Sequence, residues 1–233
     1  GVSLALCARG EEQLSETATE IAEETGATVW TRPTDVSSPE ETRLFVQEAV
    51  SHYGTVHILI CNAGGPPSAT FLELTDDLWQ QAVQLNLLSA IWLAREAVPH
   101  MQKGRWGRII NMTSVAVKQP IEGLMLSNAV RAGVVGFAKT LANELAADNI
   151  LVNNVCPGYI LTDRVVELSK VLAEKKNESP ESIIRMWEES IPLRRLGEVE
   201  EFANLVVFLA SERASYITGN SIQIDGGYYQ GLL

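Results

Sequence analysis

Short apolar runs rich in β-branched residues alternate along the chain with longer stretches of helical period, which is the pattern of a parallel sheet covered by helices on both faces. The runs are VSLALC (2–7), ATVWT (27–31), VHILIC (56–61), GRIINM (107–112), ILVNNV (150–155) and SIQID (221–225). The stretch after Arg9 reads as an acidic helix. Over 39–53, Ser38 serves as cap, Pro39 takes the first helical position and Glu41 follows three residues after the cap, so the orphan amides of the first turn have partners. Thr75, Asp76 and Asp77 open one long helix to about Met101, and a further helix spans 124–147. A helical insertion covers 163–189, its second piece starting at Ser179 and Pro180; the last helix runs over 198–210. Gly226 and Gly227 supply a turn after the last run.

No linker, repeat or change of composition divides the 233 residues. The expectation is one α/β domain over 1–233, a Rossmann-type doubly wound parallel sheet in three layers, with 163–195 as a flap over a cleft.

Composition narrows the function. A chain 46% hydrophobic and 20% charged is neither disordered nor, without an apolar run of membrane length, membrane-spanning. Its net charge of −11 opposes non-specific binding to a phosphate backbone, so nucleic acid is not an expected partner. Cys7, Cys61 and Cys156 are odd in number, widely spaced and set in or beside apolar runs. They read as buried thiols in a reducing, cytoplasmic setting, and no zinc-type spacing is present. Gly1 to Ala8 lacks a basic leader and reads as a strand, not a signal peptide. His52, His57 and His100 show no ligand spacing and read as surface or helix-end residues.

In an open parallel sheet, ligands bind beyond the carboxyl ends of the strands. Here those ends carry Arg9, then Asp35-Val36, Asn62-Ala63-Gly64-Gly65, Thr113-Ser114 and Pro157-Gly158, all small or polar except Val36 and Pro157. Any one of them is an ordinary turn; five at one rim point to a nucleotide or small-molecule cleft.

These residues resemble the short-chain dehydrogenase/reductases. The resemblance runs over essentially the whole chain, through NAGG (62–65), Asn86 within QLNLLSAIWLAREAVPHM, INMTS ending at Ser114, AGVVGFAKTLANEL (132–145), NNVCPGYILT (153–162), IPLRRLGEVEEFANLVVFLAS (191–211) and YITGNSIQIDGG (216–227). The last two look most like the subgroup related to 3-oxoacyl-carrier-protein reductases. The resemblance implies a nicotinamide cofactor acting on a small-molecule carbonyl or secondary alcohol. It implies Asn86 and Ser114 as catalytic residues, and Asp35, Val36, Asn62, Ala63, Gly64, Pro157, Gly158 and Thr162 along the cofactor. Tyr159 is expected at the substrate pocket, facing the nicotinamide. Arg9, after the strand that bears the adenosine ribose, suits a 2′-phosphate and favours NADP(H), with NAD(H) as the alternative; the ordinary reading is a surface arginine pairing with Glu11 or Glu12. A homo-oligomer, dimer or tetramer, is also implied.

Two features depart from the family pattern. The opening strand and T-G-x-x-x-G-x-G turn that hold a pyrophosphate are not in these residues; by analogy about one βα unit of a ~30-residue βαβ motif is missing, which would leave two open edges inside the sheet. Second, counting thirteen residues from Ser114 to the family's Tyr-x-x-x-Lys reaches Ser127 and Arg131. A serine is a far weaker acid than a phenol. Arg131 keeps the charge and the ribose hydrogen bonds but, unlike an ammonium, relays no proton. Tyr159 or Lys118 is a conceivable substitute donor. Two readings follow: a weakened reductase using Ser114, Asn86, Arg131 and Ser127, or a nucleotide-binding regulatory or structural subunit without turnover.

Overall fold

The computed structural model describes residues 1–232. Within them the apolar runs form six strands, every pairing parallel: β1 (Leu4–Ala8), β2 (Val29–Pro33), β3 (Ile58–Cys61), β4 (Gly107–Met112), β5 (Ile150–Pro157) and β6 (Ser221–Ile224). They lie in two pieces, β1 beside β2 and β3-β4-β5-β6 in that order, so β1 and β3 each have a single strand neighbour among the described residues. One hydrophobic core joins the pieces: Ala5, Cys7 and Trp30 pack against the cluster that holds Leu59 and Cys61 of β3.

Successive residues of a strand point to opposite faces, and β4 shows both layers. Ile109 enters the cluster formed with α2 (Pro39–Tyr53), α4 (Ser89–Gly104) and α5 (Met125–Leu145), whereas Ile110 packs with Val155 and with Leu209 of α8 (Val199–Ala210). Ile109 and Ile150 are fully buried, worth about 1.5–3 kcal/mol each by area removed from water. Cys61 and Cys156 are buried as expected, but Cys7 is only half-buried, because β1 lacks a second strand neighbour. Burial pushes the Cys7 thiol up to about 11 and Cys61 to about 12.

The expected first helix is α1 (Glu11–Thr25). The cap of α2 differs in one detail. Ser38 Oγ accepts the Glu41 N–H, but the Glu41 carboxylate reaches past the cap to accept the Asp35 N–H at 2.7 Å, which pins the loop after β2. The single helix expected over 75–101 is three segments: α3 (Asp76–Ala82), a π-helical turn (Val83–Leu88) that buries Asn86, and α4 with Pro99 inside it. The extra residue of the π turn rotates Asn86 off the surface.

The insertion after β5 is α6 (Asp163–Lys176) and α7 (Pro180–Ser190), with Ser179 capping the second as its sequence requires. Val165 and Leu168 pack with Ala173, Ile183 and Trp187, while Val171 stays exposed. At the start of α8, Glu201 pairs with Arg195 through two hydrogen bonds of 2.6 and 2.7 Å and accepts the Glu198 N–H, holding its carboxyl at about 2 against an ordinary 4.5. A folded-state pKa depressed in this way stabilises the protein above the ordinary value, and that contribution is lost as pH falls from about 4.5 towards 2. Glu201→Gln is therefore expected to make the acid unfolding transition shallower over that interval, measured by circular dichroism against pH.

Candidate functional site

Because every strand is parallel, the loops after β1 to β5 open at one edge. After β3, Asn62 and Gly64 are exposed, and no atom lies within 4 Å of where a Cβ on Gly64 would sit. Asn86, 6% exposed, donates from Nδ2 to the Gly64 carbonyl at 2.7 Å, so the π turn fixes the height of this loop.

On α5, Arg131 reaches into the same corner. One terminal N–H donates to the Met112 carbonyl at 2.6 Å and another to the Ala63 carbonyl at 3.5 Å, bridging the ends of β3 and β4. Burial lowers its pKa from the ordinary guanidinium value, partly offset by the neighbouring Cys156. Ser127, one helical turn earlier on α5, is buried. Ser114 caps a short 3-10 turn; its Oγ accepts the Ala116 N–H at 3.1 Å, leaving its own proton available to another acceptor. Asn62, Ala63, Gly64, Asn86 and Arg131 are thus tied to one corner of the rim, with Ser114 following the end of β4 that Arg131 holds and Ser127 one turn back on α5.

Other expected residues stand elsewhere or work differently. Asp35 lies after β2, where its Oδ1 accepts the Ser37 N–H (2.9 Å) and hydroxyl (2.7 Å); these bonds hold its carboxyl below the ordinary value, with a smaller contribution from the charge of Arg9. The Val36 carbonyl accepts from Thr42 Oγ1. Arg9 is exposed and, among the described residues, forms no ion pair with Glu11 or Glu12. Gly158 is not an open approach: a Cβ there would lie 2.8 Å from Asp225 Cβ and 2.9 Å from its Cα. Its small size serves the packing of the turn after β6. Pro157 ends β5 opposite Ile224, and Thr162 is exposed at the cap of α6, its hydroxyl donating to Ile160.

Tyr159 sits among aromatic rings. Its ring stacks on Trp187 at 4.8 Å and meets Tyr228 edge-on at 5.5 Å, so it turns into the flap. Burial raises its phenol well above the ordinary value, which makes it a poor substitute proton donor. The sequence reading also missed a chain of side-chain amides: Asn111 Nδ2 donates to Asn154 Oδ1 (3.1 Å), and Asn154 Nδ2 to Ser221 Oγ (3.0 Å). Its signal was present, as asparagines inside apolar strands must find partners when buried. Asn128 was missed as well; it clamps Ile121 through both backbone groups and fixes the loop after β4.

A family model described as enoyl-(acyl carrier protein) reductase matches residues 1–229. The chain belongs to the short-chain dehydrogenase/reductase family. Among curated members, the 3-oxoacyl-acyl-carrier-protein reductase of Aquifex aeolicus is 34% identical over 229 residues, covering 98% of this chain and 88% of that protein. The protein of the same name from Staphylococcus epidermidis is 33% identical, covering 98% and 89%. Among solved structures, L-sorbose reductase from Gluconobacter frateurii, complexed with NADPH and L-sorbose, superposes with a TM-score of 0.94 at 35% identity, over 100% of this chain and 89% of that one. An actinorhodin polyketide ketoreductase with NADPH gives 0.92 at 32% identity, over 96% and 86%. The parallel sheet flanked by helices is thus the Rossmann-like fold of short-chain dehydrogenase/reductases. No helix of the described residues is long and apolar enough to cross a membrane.

Proposed function

We propose that the chain is an NADP(H)-dependent oxidoreductase that interconverts a small carbonyl compound and its secondary alcohol, at reduced efficiency. The observation that carries this reading is the convergence of Asn86 and Arg131 on the open Ala63-Gly64 loop, Arg131 also holding the end of β4 that leads into Ser114. The rim fits a dinucleotide where it can be tested. Gly64 leaves space for close approach, Ser114 has a free hydroxyl proton, and Arg9, in no ion pair among the described residues, lies near enough to the Asp35 loop to lower the Asp35 carboxyl, where a 2′-phosphate would find a cation. When bound, the nicotinamide supplies or accepts the hydride.

The chain's own residues then do the rest. Ser114 donates a hydrogen bond that orients the substrate oxygen. Arg131 holds the ends of β3 and β4 together and presents positive charge to the ribose side. Asn86 keeps the Gly64 loop at its height. Ser127 occupies the position of the family's tyrosine, and a hydroxyl of so high a pKa gives up its proton slowly. Residues 163–195 act as the flap, its aromatic centre at Tyr159 and Trp187. The whole of 1–233 works as one domain in a reducing, cytoplasmic compartment, consistent with three free cysteines, and as a homo-oligomer like its implied relatives.

A second reading rests on a specific observation: Arg131 commits two N–H groups to main-chain carbonyls, so a nucleotide-binding regulatory or structural subunit without turnover would look the same. NADPH oxidation on a panel of 3-oxoacyl thioesters, ketoses and simple ketones, run beside Ser114→Ala, separates the two. Turnover that Ser114→Ala lowers by about 10²-fold or more supports the reductase. Tight NADPH binding with no oxidation on any substrate supports the subunit.

A further inference from the structure

We propose that Arg164 is a specificity-determining residue of this site, selecting carbonyl substrates that carry a carboxylate. The proposal rests on the function proposed above and names a substrate class for it. Arg164 is the second residue of α6, so it leaves the rim from the loop after β5. Its guanidinium ends on a different loop. The Nη2 N–H donates to the Pro66 carbonyl at 3.3 Å, and the same nitrogen lies 3.8 Å from where a Cβ on Gly65 would sit. Gly65 adjoins Gly64, whose carbonyl Asn86 holds, so the charge is delivered to the loop after β3. In the sheet, β4 lies between β3 and β5. A side chain that starts beyond β5 and ends beyond β3 therefore spans the end of β4, the strand that leads into Ser114.

Little in the protein holds this guanidinium. Asp163 is its neighbour and Glu167 follows one turn later on α6, yet Arg164 forms an ion pair with neither, nor with any other acid among the described residues. The Pro66 carbonyl is a neutral acceptor at the long end of the N–H···O range, and it occupies one of five donors. A carboxylate offers the planar fork two parallel, charge-assisted bonds instead. Arg164 is exposed, so a ligand arriving from solvent can reach it. The surroundings favour an anion as well: Arg131 and Lys118 both act on the Cys156 thiol, which gathers positive charge at this edge of a chain whose net charge is −11. With its carbonyl at Ser114 and its carboxylate at Arg164, a substrate lies across the end of β4, and the same contact draws α6 down over it.

Matched pairs test the assignment: 2-, 4- and 5-oxo carboxylic acids and their methyl esters, which differ in charge and not in the reacting carbonyl. Each is titrated calorimetrically into the full chain, with and without NADP+, and assayed for NADPH oxidation, in the parent, Arg164→Met and Arg164→Lys. In the parent, at least one acid is expected to exceed its ester by about 10- to 100-fold in affinity and in kcat/KM, as for a hydrogen bond to a charged group, with the difference carried by KM. Arg164→Met is expected to bring that ratio close to one, and Arg164→Lys, which keeps the charge without the fork, to recover part of it. A parent that favours no acid, or a preference that survives in Arg164→Met, overturns the proposal. NADPH affinity identifies the competing anion: a loss of about tenfold in Arg164→Met with the acid-to-ester ratio intact assigns the guanidinium to the cofactor phosphates and overturns the proposal too. Absence of turnover on every compound defeats the proposed function, while the calorimetric ratio still decides what Arg164 binds.

Discussion

Replacing Ser127 with tyrosine together with Arg131→Lys is expected to raise kcat for ketone reduction by about 10²- to 10⁴-fold, the usual worth of a positioned general acid. That range corresponds to about 3–5 kcal/mol of barrier. The two positions are four residues apart on α5 and so share a helix face, from which Arg131 reaches the Ala63 carbonyl at the end of β3. A phenol there titrates many units below a serine hydroxyl, and a neighbouring ammonium lowers it further while exchanging protons, which a guanidinium does not. Each single change is expected to give less. Ser127→Tyr alone leaves the guanidinium on the Met112 and Ala63 carbonyls, while Arg131→Lys alone gives up part of that bridge without gaining an acid. Steady-state kinetics with NADPH, supported by a new ionisation in the pH profile of the double variant, measure the effect. Should the double variant fold and bind NADPH yet gain less than about threefold in kcat, proton donation is not what limits this enzyme.

How far the sequence foretold this site depends on how local each feature is. The six strands were legible because parallel strands buried on both faces are continuous apolar runs. The start of α2 was legible because Ser38 and Pro39 act within one turn. The π turn was not, since one inserted residue leaves the apolar periodicity through 75–101 almost unchanged; Asn86 came into view only through the family resemblance. The charge of Arg131 could be read from its residue type, but its carbonyl partners depend on how the ends of β3 and β4 lie in space. The ring partners of Tyr159 were hidden for the same reason. Its environment is set by Trp187 and Tyr228, 28 and 69 residues later in the chain, and local spacing says nothing about either.

Gly158 separates packing from binding in the most direct way. Gly158→Ala is expected to lower the Tm of the cofactor-free protein by about 2–10 °C, from the ~1–3 kcal/mol that overpacking a filled site costs. The added methyl meets Asp225 Cβ and Cα at 2.8 and 2.9 Å, and the Cα is main chain, so β6 or the end of β5 must move. That displacement would also strain the Gly158 N–H bond to the Ile224 carbonyl. Gly64→Ala is the matched control. Its methyl would enter open space, so the Tm of the free protein should stay within about 1–2 °C, while NADPH affinity falls because the methyl stands where the cofactor approaches. Thermal unfolding and NADPH titration on both variants decide the matter. An unchanged Tm in Gly158→Ala, with affinity alone reduced, would restore that glycine to the cofactor surface and remove it from the packing of β6.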